Sequence, residues 1–216
     1  MKKIFLAAMS WLLLSTTALA QDAGQTANVQ LAMQSFERAA AGDKDAVEEA
    51  VARFKALGES QAQSPWYKAR LGSLTTMQAR DAWAPWKKMG YTEKGLDLID
   101  EALGALAPEH DGKALGNNFV GLDVRYTAAV TFSSIPKFFN RWAQAERLFK
   151  EITQQAEFAN TSKAFQAQVW LGRAQLAKQR EQRELYTQWL RKAADLAPAS
   201  EAGKQARTLL LGRAGQ

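Results

Sequence analysis

The chain has no cysteine among its 216 residues. That excludes a disulfide framework, thiolate-bound zinc or iron–sulfur clusters, a thiol nucleophile and an N-terminal lipid anchor built on cysteine. Histidine occurs once, as His110 between Glu109 and Asp111. One imidazole with two carboxylates adjacent in sequence does not converge on a metal, so neither a metal nor a cofactor is expected. Alternating β-branched runs long enough for strands are missing, and the five prolines stand at the edges of periodic segments. No glycine-rich phosphate loop occurs. With 47% hydrophobic and 23% charged residues, the chain has the apolar material for a core and too little charge for disorder.

Long apolar runs are scarce as well. The one example, Ile4 to Leu14, is shorter than the roughly 20 residues that span a bilayer. Lys2 and Lys3 precede it, and Ser15-Thr16-Thr17 leads to Ala18-Leu19-Ala20, a small-x-small pattern ahead of Gln21. This reads as a cleaved export signal over residues 1–20, leaving residues 21–216 as one helical domain in the bacterial periplasm or secreted, with no stable membrane insertion after cleavage. Nucleic acid is not an expected partner in that compartment. Charge is uneven: residues 21–135 hold 12 basic and 15 acidic side chains, and residues 136–216 hold 14 and 7. The basic half is either a set of solvated helix faces or a complement to an acidic partner.

Apolar residues recur at three- and four-residue spacing along almost the whole chain, which predicts about nine helices. Thr26–Ala41 and Lys44–Leu57 form a hairpin about Gly42-Asp43, and Gly58 stops the second helix. Ser64-Pro65 opens a helix through Arg80. The segment Asp81 to Gly90, DAWAPWKKMG, reads as a loop, with Thr92 capping a helix from Glu93 to Leu106. Glu109–Asn118 reads as an exposed linker. Further helices are expected from about Phe119 to Ser134, from Arg141 to Glu157 capped by Asn140, from Asn160-Thr161 to about Arg180, from Arg183 to Leu196 and from Ser200 to Leu211.

Two segments repeat: Ala69-Arg70-Leu71-Gly72 against Val169-Trp170-Leu171-Gly172, followed by the endings Glu101 to Pro108 and Lys192 to Pro198. These resemble the tetratricopeptide repeat. The resemblance gives Leu171, Gly172, Leu190, Ala193 and Pro198 the roles of the family's close-packing pair, gap-filling residues and terminating proline, and gives Ala145 and Phe149 to a middle repeat. It implies an all-α solenoid of three to four divergent helical hairpins, with glycine letting paired helices approach. Gly72 and Ala102 stand 30 residues apart and Gly172 and Ala193 stand 21 apart, both wider than the family spacing, so DAWAPWKKMG reads as an insertion. The run Arg80–Leu106 with Val124-Arg125 and Pro136 to Arg141 is also similar to a group of exported bacterial proteins with divergent repeats, which implies no particular activity.

Candidate chemistry is thin. Ser134-x-x-Lys137 has the spacing of penicillin-recognising serine enzymes, yet no Lys-Thr-Gly or Ser-Asp-Asn accompanies it and Pro136 interrupts it. Glu59 stands in a polar segment without a sugar-binding aromatic cleft. Asn160-Thr161-Ser162 reads as a helix cap. The insertion differs from these: Arg80, Trp83, Trp86, Lys87, Lys88, Met89 and Tyr91 fall within twelve residues. Its tryptophans either fold back as a lid on the core or present anchors to a partner. Arg125 lies in an apolar helix and needs an acidic partner such as Asp81, Asp97 or Asp100, or an anionic ligand group. Arg80, Trp83, Trp86, Lys87, Tyr91 and Arg125 are therefore the candidate partner-binding residues. The expected function is that of an exported scaffold or adaptor for an envelope protein or peptide of acidic character, without catalytic activity. The alternatives are a solute-binding accessory to a transporter or a cell-wall enzyme.

Overall fold

The computed structural model describes residues 26–61 and 64–214, so the export signal expected over residues 1–20 lies outside the described residues. The fold is all-α, with one two-stranded hairpin of two residues per strand among those residues. The chain groups into two compact units, Met1–Ala62 and Gln63–Gln216.

In the first unit, α1 (26–40) and α2 (Asp45–Gln61) form the expected hairpin. Gly42, at φ +107°, takes a left-handed turn that a side chain would resist. The Asp43 carboxylate then accepts hydrogen bonds from the Asp45 and Ala46 backbone N–H groups, capping α2. Ala32, Phe36 and Ala39 are buried with Val47, Ala50 and Phe54, and the Phe36 and Phe54 rings meet at 6.2 Å. Gly58 does not end α2, which runs on to Gln61. The side chain of Glu59 lies outside the described set.

The second unit is a succession of antiparallel pairs. Its helices are α3 (Pro65–Asp81), α4 (Pro85–Gly104), α5 (Pro108–Gly112), α6 (Val120–Ser134), α7 (Trp142–Gln154), α8 (Lys163–Gln179), α9 (Arg183–Leu196) and α10 (Glu201–Ala214). Each hairpin pairs consecutive long helices: α3 with α4, α6 with α7, α8 with α9. The first helices also touch in sequence order, α3 on α6 and α6 on α8, and each second helix leans on the next hairpin, α4 on α6 and α7 on α8. α10 closes the row against α8 and α9. Leu122, Phe132, Phe149, Ile152, Val169 and Leu190 have almost no exposed surface and form the centre of the core.

Four expectations are corrected. DAWAPWKKMG is not a loop: α4 starts at Pro85, and only Ala82–Ala84 separate it from α3. Thr92 caps nothing, because it sits inside α4 with its hydroxyl donating to the Lys88 carbonyl. Glu109–Asn118 is ordered as α5 and a hairpin of β1 (Ala114–Leu115) on β2 (Asn118–Phe119), turning at Gly116 with φ +57°; α5 brings the described helices to ten. Caps also shift. Asn140 takes a left-handed conformation before α7 starts at Trp142, and Ser162 rather than Asn160-Thr161 opens α8 by accepting from the Phe165 N–H.

The two repeat glycines work differently. A Cβ on Gly72 would lie 2.7 Å from the Gly95 carbonyl oxygen and from Ile99, and one on Gly95 would lie 2.6 Å from the Gly72 oxygen. Here α3 and α4 touch backbone to backbone. Gly172 instead faces the Phe149 ring of the preceding hairpin at 2.8 Å, so its close approach is between hairpins and not within one. Gly72→Ala is expected to cost about 1–3 kcal/mol by overpacking. Gly90→Ala, whose added methyl meets nothing within 4 Å, is expected to stabilise α4 by about 1 kcal/mol. Thermal unfolding by circular dichroism should move the two midpoints in opposite directions; equal midpoints would remove the Gly72–Gly95 contact as a determinant of the hairpin.

Candidate functional site

Local chain chemistry builds the most exposed apolar feature of the second unit. Ala84 precedes proline and is held extended, and Pro85 brings a preset φ to the first position of α4. Three residues therefore suffice to reverse the chain. Trp83 lies on that connection and Trp86 at the second position of α4. They are 78% and 68% exposed, with ring centroids 5.7 Å apart at an interplanar angle of 75°. Met89 is 40% exposed, Lys87 and Lys88 are exposed beside it, and Tyr91 is half-buried one turn on. Arg80 is held by its neighbour Asp81 through two contacts of 3.0 and 3.1 Å, so its charge is largely spent locally.

The lid reading is thus overturned, because the tryptophans point away from the core. Of the six candidate residues, Arg80, Trp83, Trp86, Lys87 and Tyr91 gather at one hairpin end. Ties between this hairpin and its neighbours lie lower down: Arg70 to Asp123, Ser73 to Thr131 and Asp100 to Arg141. Ser73 and Asp81 are eight residues apart. At a helical rise of 1.5 Å per residue, the end of the hairpin projects about 12 Å past the Ser73 contact.

Arg125 does not join this group. Its Nη1 lies 2.5 Å from Oδ1 of Asp111 on α5, not from Asp81, Asp97 or Asp100. Asp81 is taken by Arg80 and Asp100 by Arg141. The pair lies over Gly121, where any Cβ would collide with the Asp111 carboxylate and Arg125 itself. Arg125 therefore fastens α5 to α6, and its charge is answered within the fold.

Sequence reading missed a more deeply buried pair. Arg70 and Asp123 are 8% and 7% exposed, with Nη2 to Oδ2 at 2.5 Å joining α3 to α6. Asn118 reaches the other Asp123 oxygen at 3.4 Å. Ser73 and Thr131 continue the polar seam at 3.0 Å, and Thr127 and Thr131 hydroxyls donate to carbonyls one turn back. Nearby, burial is the main cause that pushes the Tyr126 phenol up to about 12; Arg70 opposes the shift and Asp123 adds to it. The available signal was a charged residue at a core position of two apolar helices, the same signal that singled out Arg125.

The remaining candidates are held structurally. The Ser134 hydroxyl donates to the Val130 carbonyl, while Lys137 lies past Pro136 with its Nζ 6.0 Å from the Trp142 ring centroid. His110 Nδ1 accepts the Ala107 N–H, tying the start of α5. Among the described residues, no group of three or more histidine, aspartate or glutamate side chains is placed to hold a metal. An open cavity of about 610 Å³ lies where the α6–α7 and α8–α9 turns meet, lined by Lys137, Asn140, Trp142, Gln179, Arg180 and Glu181. On α8 and α9, Arg173 stacks on Trp170 and Trp189 at 5.0 and 4.4 Å, and Lys192 lies 3.7 Å from the Trp170 ring centroid, so both cations are engaged by rings of their own hairpin.

Comparison with known proteins gives no match, whether to a family model, a curated protein or a solved structure.

Removing one partner of the buried pair is expected to cost about 3–5 kcal/mol, because the other charge stays buried. Asp123→Ala should show this loss in urea unfolding, and Arg70→Met with Asp123→Leu should recover most of it. Arg125→Ala, at a partly exposed pair, should cost no more than about 1 kcal/mol. A small loss for Asp123→Ala would remove this pair as the fastener between α3 and α6.

Proposed function

We propose that the chain is an exported, tetratricopeptide-like adaptor that holds a protein or peptide segment of the bacterial envelope, and that it binds rather than catalyses. One observation carries this reading: α3, α6 and α8 stand side by side in chain order, each backed by its hairpin partner, with α10 closing the row. In hairpin solenoids such a row presents its first helices to an extended or helical ligand; here α3 before Arg80 and α6 before Ser134 carry no exposed residue, so the open part of that face is on α8. On α8 the exposed positions include Ala164 and Gln168 and, past the buried Leu171 and Gly172, Gln175, Lys178 and Gln179, which offer side-chain amides that suit a peptide backbone. Fold analogy supplies the rest of the inference.

A binding role also agrees with where ionisable groups are spent. Arg70, Arg80, Arg125, Arg141 and Arg180 each meet a carboxylate within the chain, and the Ser134 hydroxyl is engaged by the backbone. The basic excess beyond residue 136 favours a partner with acidic side chains.

A photo-crosslinking residue in place of Gln168 or Gln175, in the exporting cell, should give one discrete protein adduct. The same residue in place of Gln188, exposed on α9, should not. Adducts from all three positions alike, or from none, would remove the first-helix face as the seat of a partner.

A further inference from the structure

The end of the α3–α4 hairpin suits a different target from a peptide groove. In protein interfaces, anchoring tryptophans are ringed by contacts that exclude water. Trp83 on the three-residue connection and Trp86 in the first turn of α4, at 78% and 68% exposure, have no such ring; the two indoles meet edge to face at 5.7 Å. A partner protein would have to bring every wall of the pocket. A bilayer surface needs none, since indoles settle at the headgroup level with the ring in the apolar layer and the N–H among polar groups.

Charge supports the same target. Lys87 and Lys88 follow Trp86 directly and are exposed, while Arg80 and Asp81 cancel one another. Glu93 and Lys94 offset each other one to two turns further along. The end of the hairpin is thus an apolar apex of Trp83, Trp86 and Met89 with a collar of two unopposed lysines. No described helix is long and apolar enough to cross a membrane, so the contact would be peripheral. A lysine near an anionic leaflet contributes about five-fold to partitioning.

We propose that this hairpin end docks the protein on an anionic phospholipid surface, with Trp83, Trp86 and Met89 in the interface and Lys87 and Lys88 against headgroup phosphates. This site is separate from the first-helix face and stands whether or not that face holds a peptide.

Because the chain has no cysteine, one introduced thiol can carry a fluorophore that reports a single place. Gly90 and Gly104 lie toward opposite ends of α4, and a side chain at either meets nothing within 4 Å. Full-length Gly90→Cys and Gly104→Cys proteins, each labelled with an environment-sensitive dye, are mixed with phosphatidylglycerol–phosphatidylethanolamine vesicles containing doxyl-labelled lipid. The dye at position 90 should shift blue and be quenched, and the dye at position 104 should not. Phosphatidylcholine vesicles should give at least ten-fold weaker partitioning at position 90. Trp83→Ser with Trp86→Ser should abolish the quenching, and Lys87→Glu with Lys88→Glu should weaken it at least ten-fold, with helicity unchanged in each. Equal quenching at positions 90 and 104, equal response to neutral vesicles, or no response overturns the proposal. So does a response to soluble poly-glutamate in place of vesicles, which would assign the hairpin end to an acidic protein surface.

Discussion

Gly72 and Gly95 place two helix backbones where side chains would otherwise stand, each carbonyl oxygen occupying the space of the other's missing Cβ. That contact allows one register between α3 and α4, because a shift of one residue would drive Leu71 or Leu96 into a space that holds no side chain. Register in turn decides what lies beyond the contact. Counting outward from Gly72 and Gly95, both helices run on for about ten residues before the chain reverses. The projecting end with Trp83 and Trp86, closed by Ala84-Pro85, thus lies more than a dozen ångströms from the glycine pair that sets how its two helices pair. The Arg70–Asp123 pair then sets how the hairpin seats on α6, since a buried charge tolerates only the seating that brings its partner within reach.

Periodicity located the long helices that have a core to face, because burial of a face is what creates the spacing. Ends followed where breakers stand: α6 stops at Ser134 before Pro136 and α9 at Leu196 before Pro198, whereas α7 stops at Gln154 and not at the expected Glu157. The same reasoning explains the failure at Asp81–Gly90. The first turns of α4 project past the core, so no stripe is imposed on them, and Trp86, Lys87, Lys88, Met89 and Gly90 show none. A local signal was available in Ala84-Pro85, which starts α4 in the same way that Ser64-Pro65 starts α3. Proline after an extended residue marks a helix start whether or not an apolar face follows.

Residues at the candidate site were legible by type but not by partner. Trp83 and Trp86 stood out as large side chains in a connection, yet whether they face core or solvent depends on how far the hairpin projects, which composition does not encode. Arg125 was visible as a charge in an apolar helix. Its partner, Asp111, sits in a segment that reads as linker, because α5 is only five residues long and its order comes from capping by His110 and from the contact at Gly121. Gly172 teaches a related lesson. A glycine matching Gly72 in sequence faces Phe149 of another hairpin, so a shared motif reports that a close approach exists and leaves the approaching element open.

Exposed indoles contribute nothing to the core and carry a solubility penalty in a free chain. The α3–α4 connection nevertheless holds its two tryptophans on a three-residue turn between helices of 17 and 20 residues, where little conformational freedom remains to be lost on contact. A flexible loop bearing the same residues would surrender backbone entropy with every residue fixed at an interface. Helix on both sides removes that cost in advance, and the edge-to-face contact of the pair, with centroids 5.7 Å apart, holds each ring against the other. Extension of α4, the feature that widens the spacing between Gly72 and Ala102, is therefore what converts an ordinary hairpin turn into a rigid projection that carries the two indoles past the polar ties of its own unit.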